Sequence, residues 1–396
     1  MLVPAAGQAD TAALRELDAD ELARYVADPA HPWWRRRPCA VALAGRVPDR
    51  HVAGLIARVS DSGDVGEVRI ALLDLLADRA ELLPWLRHED RRHERSYGMT
   101  EAILKARGML GDRSAAQALA TLAADPWPHR RVAGEAGLDA LVARYGAEAL
   151  LAGFGDERPQ DRVFRVRMRH RAGEDVAGAL ADPDRGVAHL AQSLLTDPGR
   201  LRGYLDEAPT TEAKLWAAYA LHRLTGDAAE TRAIHKTLGH PRVEVPGLDD
   251  ELRGAILHEY AHDCQRQSDP RWRVEALCTT PLRRPAQDEQ LRRATAALTA
   301  ANLAPEPPIS CGEEYQQGDG TYHLIKCGDS TVFISTLGRF ATSDDAGLSA
   351  RHAIESAGFR WIDETTGAIR VTGLCVYYFG ERAPLSVSTL LFYWQD

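Results

Sequence analysis

A small residue followed by Asp-Pro recurs four times in the first three quarters of the chain: Ala27-Asp28-Pro29, Ala124-Asp125-Pro126, Ala181-Asp182-Pro183 and Ser268-Asp269-Pro270. The aspartates are 97, 57 and 87 residues apart, close to three, two and three units of about thirty residues. An Asp side chain accepts from the exposed N–H groups where a helix begins, and Pro is pre-organised for the first helical position, so each pair reads as a helix start. Arginine and then an apolar run of helical period follow each pair. Between the markers, the spacing of apolar residues predicts helices over 68–78, 100–110, 115–124, 132–145, 187–195, 211–225 and 248–264. A helix pair burying one apolar face is unstable alone, so such units must stack on their neighbours, and an arginine can reach the aspartate of the next unit.

The clearest copy is Asp269-Pro270-Arg271-Trp272-Arg273-Val274-Glu275-Ala276-Leu277. Asp125-Pro126 with Arg130-Arg131-Val132-Ala133, and Asp182-Pro183 with Arg185 and Val187, are looser ones. Together they resemble the HEAT-repeat family over about residues 20–303, with 151–171 and 240–246 departing from the pattern. The resemblance implies an α-solenoid with a curved surface and, by the habit of that family, a scaffold that binds a protein or peptide. The family also includes DNA glycosylases, a di-iron hydroxylase and bilin lyases, so it implies architecture more strongly than activity.

The composition changes near residue 305. Ala304-Pro305-Glu306-Pro307-Pro308 holds the backbone extended, and the last 92 residues carry 12 of the 26 aromatic residues. They also hold 12 acidic against 6 basic residues, a net of −6 out of the chain's −9. The chain is thus expected to have two domains, a HEAT-like solenoid over 1–304 and a small α+β domain with an antiparallel sheet over 305–396. In the latter, 321–327 and 331–340 read as a hairpin across Gly328-Asp329, and 349–357 as a helix ended by Gly358. A second pair, 369–379 and 385–394, is expected across the turn 380–384.

With 45% hydrophobic residues among 396, the chain is rich enough in apolar side chains for a packed core. It has no run of eighteen apolar residues, no basic-then-apolar leader, and only six cysteines without a CxxC pair, which points to the cytoplasm. Of 48 basic residues only four are lysine, a bias expected of a GC-rich, bacterial genome.

Several constellations are candidates for function. Arg158, Arg162, Arg165 and Arg169 fall on one helix face, and with Trp33, Trp34 and Trp127 near repeat breaks they form the predicted surface for a protein or peptide partner of acidic character. His258-Glu259-Tyr260-Ala261-His262 is a literal HExxH, with Glu275 as a candidate third ligand, so a metal-dependent enzyme using zinc or non-haem iron is the alternative. Against it, the apolar stripe Leu248, Leu252, Ile256, Tyr260 and Cys264 turns both histidines away from the core. Further His-Glu pairs at His88-Glu89 and His93-Glu94 extend the iron reading. Nucleic-acid binding is a second alternative, disfavoured by a net −3 over the first 304 residues. In the C-terminal part, Cys311 after the proline hinge is expected to be exposed, with His323 as the nearest base in sequence, while Cys327 and Cys375 read as buried thiols. Tyr377, Tyr378, Tyr393 and Trp394 read first as packing residues of the sheet core, with a second binding face as the alternative. Taken alone, the sequence favours a scaffold without catalytic residues or cofactor.

Overall fold

A computed structural model describes residues 11–89, 97–281, 283–344 and 348–395. The protein is mainly helical, with a small, largely antiparallel sheet region near its C-terminus. Its contacts divide it into two compact units, residues 1–174 and 175–396.

The first unit is built from helix pairs. Apart from two five-residue helices, Thr11–Arg15 and Ala147–Leu151, its α-helices among the described residues are α1 (Ala19–Ala27), α2 (Trp33–Ala42), α3 (Asp49–Ser60), α4 (Gly66–Leu75), α5 (Leu83–Glu89), α6 (Met99–Met109), α7 (Ala116–Ala123), α8 (Pro128–Tyr145) and α9 (Pro159–Arg171). The second helices of successive pairs, α2, α4, α6 and α8, pack side by side, as do the first helices α1 and α3. Leu22, Val26, Leu55, Leu72, Leu73 and Ile103 share one core, and Leu119, Leu138, Leu141 and Phe164 another. Polar links between pairs repeat at the same interval. Arg36 is buried, donates through Nε to Val26 O (2.9 Å) and grips Asp64 with both Nη atoms (2.7 and 2.6 Å). Thirty-three residues on, Arg69 Nε reaches Val59 O (2.8 Å), again ten residues back.

In the second unit, α10 (Arg185–Leu194), α11 (Thr211–Thr225), α12 (Asp250–Tyr260) and α13 (Pro270–Cys278) precede α14 (Gln287–Ala300) and the strands. These are β1 (Ile309–Ser310), β2 (Asp319–Gly320), β3 (Tyr322–Cys327), β4 (Ser330–Ser335), β5 (Phe340–Ser343), β6 (Arg360–Trp361), β7 (Arg370–Tyr378), β8 (Glu381–Ser386) and β9 (Trp394–Gln395). A five-stranded sheet runs β1-β3-β4-β5-β6, parallel only between β5 and β6, which α15 (Leu348–Ser356) connects. β7 pairs with β8, and β2 with β9. One face of the sheet packs Ile325, Val332 and Ile334 against Ala294 and Leu298 of α14.

The compositional change at 305 is not a gap in packing. Leu252, Ile256, Tyr260 and Trp272 lie in one core with Phe340, Val371, Leu374 and Leu390. Backbone bonds join the two stretches: Gln265 N donates to Cys375 O (2.9 Å) and Asp269 N to Gly373 O (2.8 Å). Trp272 Nε1 donates to Thr372 O (3.1 Å), and Tyr260 Oη to Leu390 O (2.6 Å). The packing boundary therefore lies at 174/175 rather than at 304/305.

Local expectations fare unevenly. Each of these four aspartates accepts the N–H two residues on, at 2.8–3.0 Å, but of the four only Asp269-Pro270 has its helix begin at the proline, as also happens at a fifth pair, Asp197-Pro198. At Asp28, Asp125 and Asp182 the same bond closes a turn before the helix, which starts at Trp33, Pro128 and Arg185. The stretch 159–171 forms a regular helix, whereas 240–246 has neither helix nor strand. The hairpin across Gly328-Asp329 and the helix ended by Gly358 are both present. The second hairpin turns at Phe379-Gly380 instead, both with positive φ (44° and 89°), the geometry of a two-residue turn. After β8 the chain forms a short helix, α16 (Val387–Leu391), where a strand was expected.

Candidate functional site

Within residues 1–174, the second helices begin at Trp33, Gly66, Met99, Pro128 and Pro159. None of their cap residues (Pro32, Val65, Gly98, Trp127 and Arg158) makes a side-chain capping bond. Their first N–H groups are consequently left without the side-chain acceptor that Asp18, Asp184, Asp227 and Asp249 supply to other helices. Around the same ends the chain exposes large apolar groups: Trp33 (41%), Trp34 (40%), Val65 (38%) and Tyr97 (82%). Trp127 is half-buried, and the exposed Val132 stands one turn into α8.

A cleft of about 710 Å³ runs across α4, α6 and α8. Arg37, Ile70, Tyr97, Lys105, His129 and Val132 line it. Tyr97 Oη and His129 Nε2 share a hydrogen bond at 3.3 Å, their rings 5.3 Å apart, and the Trp127 ring lies 6.4 Å from His129. Charges beside the cleft are paired from helix to helix: Lys105 with Asp74 (2.8 Å), Arg130 with Glu101 (2.8 Å), Arg167 with Glu135, and Arg171 with Asp139. Such exposed pairs contribute little stability each, and they tie the charged groups of this face to one another.

The predicted arginine face is largely engaged within the chain. Arg158 donates to Gln117 Oε1 (3.2 Å) and Thr121 Oγ1 (3.3 Å). Arg162 donates to the carbonyls of Asp156 (2.8 Å) and Glu157 (3.2 Å), and Arg165 to the Asp156 carboxylate and Phe154 O. Arg169 stands 3.8 Å from Glu174. Three of the four thus fasten α9 to the 154–157 loop and to α7.

The HExxH residues are divided between α12 and the turn after it, and two of them are engaged by other side chains. α12 ends at Tyr260, so His262 lies in the following turn, exposed, while His258 is half-buried and bonds Thr279 Oγ1 (3.1 Å). Burial, chiefly, and the neighbouring His262 lower the His258 pKa. Glu259 is held by Arg284 (2.6 Å), and Glu275 is gripped by the buried Arg253. Among the described residues, no group of three or more His, Cys, Asp and Glu side chains is placed to hold a metal ion. His93-Glu94 lies outside the described residues. Cys311, expected to be exposed, is 2% exposed and its thiol pKa is raised by burial; a side chain on Gly320 would meet its Sγ at 2.6 Å.

No protein-family model matches this chain, and neither does any curated protein or solved structure.

Trp33, Trp34 and Trp127 are candidates from the sequence, whereas Tyr97, His129 and Val132 join them only in the folded chain. A signal was there: Trp33, Val65, Tyr97 and His129 are each 32 residues apart. That period marks the starts of the second helices more regularly than the Asp-Pro pairs do, because the turn before each helix varies in length.

Proposed function

We propose that residues 1–174 form a HEAT-like array that binds an extended, acidic peptide segment of a partner protein across the starts of α2, α4, α6 and α8. The observation that carries this reading is the row of exposed aromatic and apolar residues at 32-residue spacing, Trp33, Trp34, Val65 and Tyr97, beside the His129 cleft. Large exposed apolar groups on a protein surface mark interaction sites, and Trp and Tyr are the residues that dominate interface energetics. The acidic character follows from helix starts that point their N–H groups and positive dipole ends the same way without side-chain caps. Arg158, the cap residue of α9, extends the row at that helix's start.

Selection from a displayed peptide library tests it. Acidic peptides carrying apolar residues should be enriched on the protein, and binding should weaken at least about tenfold in a Trp33→Ala, Trp34→Ala, Tyr97→Ala variant. Equal binding by that variant, with its fold intact by circular dichroism, would remove this surface from consideration.

A further inference from the structure

In the second unit, α10, α11 and α13 pack side by side and bring together His189 and Gln192, Trp216, Tyr219 and Arg223, and Arg273. Gln192 Nε2 lies 3.5 Å from His189 Nδ1, and the His189 ring meets Trp216 edge to face at 5.7 Å. Trp216 meets Tyr219 at 6.3 Å, and the Arg273 guanidinium sits 5.3 Å from the Tyr219 ring. His189 and Tyr219 are half-buried, so solvent reaches this side of the cluster, while Trp216 at its floor is fully buried.

Two arginines nearby, Arg185 and Arg271, are neutralised by Glu212 and Asp269. Arg223 and Arg273 differ. Arg223 donates to the carbonyls of Gln192 (3.0 Å) and Leu195 (2.8 Å), and Arg273 to those of Cys264 (2.6 Å) and Gln265 (3.1 Å). These bonds use N–H groups without neutralising charge. In the same cluster Trp216 Nε1 and Arg273 Nε are buried donors with no acceptor among the described residues, and Gln192 Oε1 is likewise unpartnered. Turning the Gln192 amide end for end would present a third donor. Buried donors left open call for a missing partner. A water could accept from them but would not balance the guanidinium charge; an oxyanion does both.

We propose that the α10–α11–α13 face binds a small oxyanion, the phosphate or carboxylate group of a ligand, whose oxygens accept from Trp216 Nε1 and Arg273 Nε. Burial, and then Arg273, Arg266 and Arg223, hold the His189 pKa down to about 3, so the imidazole is neutral and the guanidinium groups carry the attraction. This site is separate from the aromatic row of the first unit.

Calorimetric titration of the full chain with inorganic phosphate and, separately, with succinate at constant ionic strength tests the proposal. Saturable binding of either ion is expected, and it should weaken about tenfold or more in Trp216→Phe, which keeps an aromatic, if smaller, side chain but loses one hydrogen bond to a charged group. Gln192→Leu should weaken it too, which guards against a folding defect in either variant. Binding of phosphate alone assigns a phosphoryl ligand; binding of succinate, alone or with phosphate, assigns a carboxylate. Heat from neither ion, or an affinity unchanged in both folded variants, overturns the proposal.

Discussion

Single arginines and histidines hold this protein together in ways that depend on what lies beside them. Arg36 uses three N–H donors on one carbonyl and one carboxylate, and the Asp64 pKa is lowered because the Arg36 bond, the Val65 N–H and the charges of Arg36 and Arg58 together outweigh its desolvation. His189 is the opposite case, a titratable group kept neutral by burial and three guanidinium groups. Its folded pKa of about 3 lies below the unfolded value near 6.5, so between these limits the unfolded chain binds the extra proton. The stability tied to His189 is therefore complete above pH 6.5 and is lost as pH falls toward 3. Urea midpoints of the second unit should drop between pH 7 and 5, and drop less in His189→Phe; equal slopes would show that His189 does not titrate this way. The helical period placed His189 on α10, but the arginines that set its charge come from α11, from α13 and from the loop before α13, and no local pattern announces them.

At the scale of elements, the α7 and α8 pair shows why glycine sits inside a helix. A Cβ at Gly134 would lie 2.4 Å from Ala123 N, and one at Gly137 would meet Leu119 Cδ2 at 2.6 Å. In an isolated helix Gly→Ala gains about 1 kcal/mol. Here Gly134→Ala should instead destabilise by about 1–3 kcal/mol, because the rigid backbone of α7 must move; a thermal midpoint at or above wild type would contradict this. Helix 211–225 was legible to the residue because Thr210 caps it and Gly226 ends it with φ 67°. The second hairpin was misplaced for a physical reason as well. Its turn begins with Phe379, a bulky residue that rarely takes positive φ, so residue type pointed to the loop after it. Phe379 packs against Trp394 (5.4 Å), a contact made only once the strands have met.

For the whole molecule, composition and packing draw different lines. Aromatic content and charge change at 305, yet the last 92 residues share a core with α12 and α13, and Arg360 pairs with Asp249 and Glu251 across that line. Residues 305–396 alone would expose Val371, Leu374 and Leu390 that Trp272, Ile256 and Tyr260 now cover. At about 1.5–3 kcal/mol per large apolar side chain, that loss is comparable to the whole stability of a small domain. Expressed separately, 175–396 should unfold cooperatively and 305–396 should not; a cooperative transition in the shorter piece would restore the boundary at 304.

The sequence by itself determined the helical segments, the interval of about thirty residues, the sheet-forming character of the last quarter and the tryptophans of the candidate surface, since periodicity, caps and turns are written in neighbouring residues. Tertiary structure alone decided which arginines are spent inside the fold, that His262 leaves the helix bearing His258, and that the C-terminal strands close over Trp272. Those outcomes depend on groups 10 to 100 residues apart, and on whether a charge finds a carboxylate or a carbonyl when it arrives.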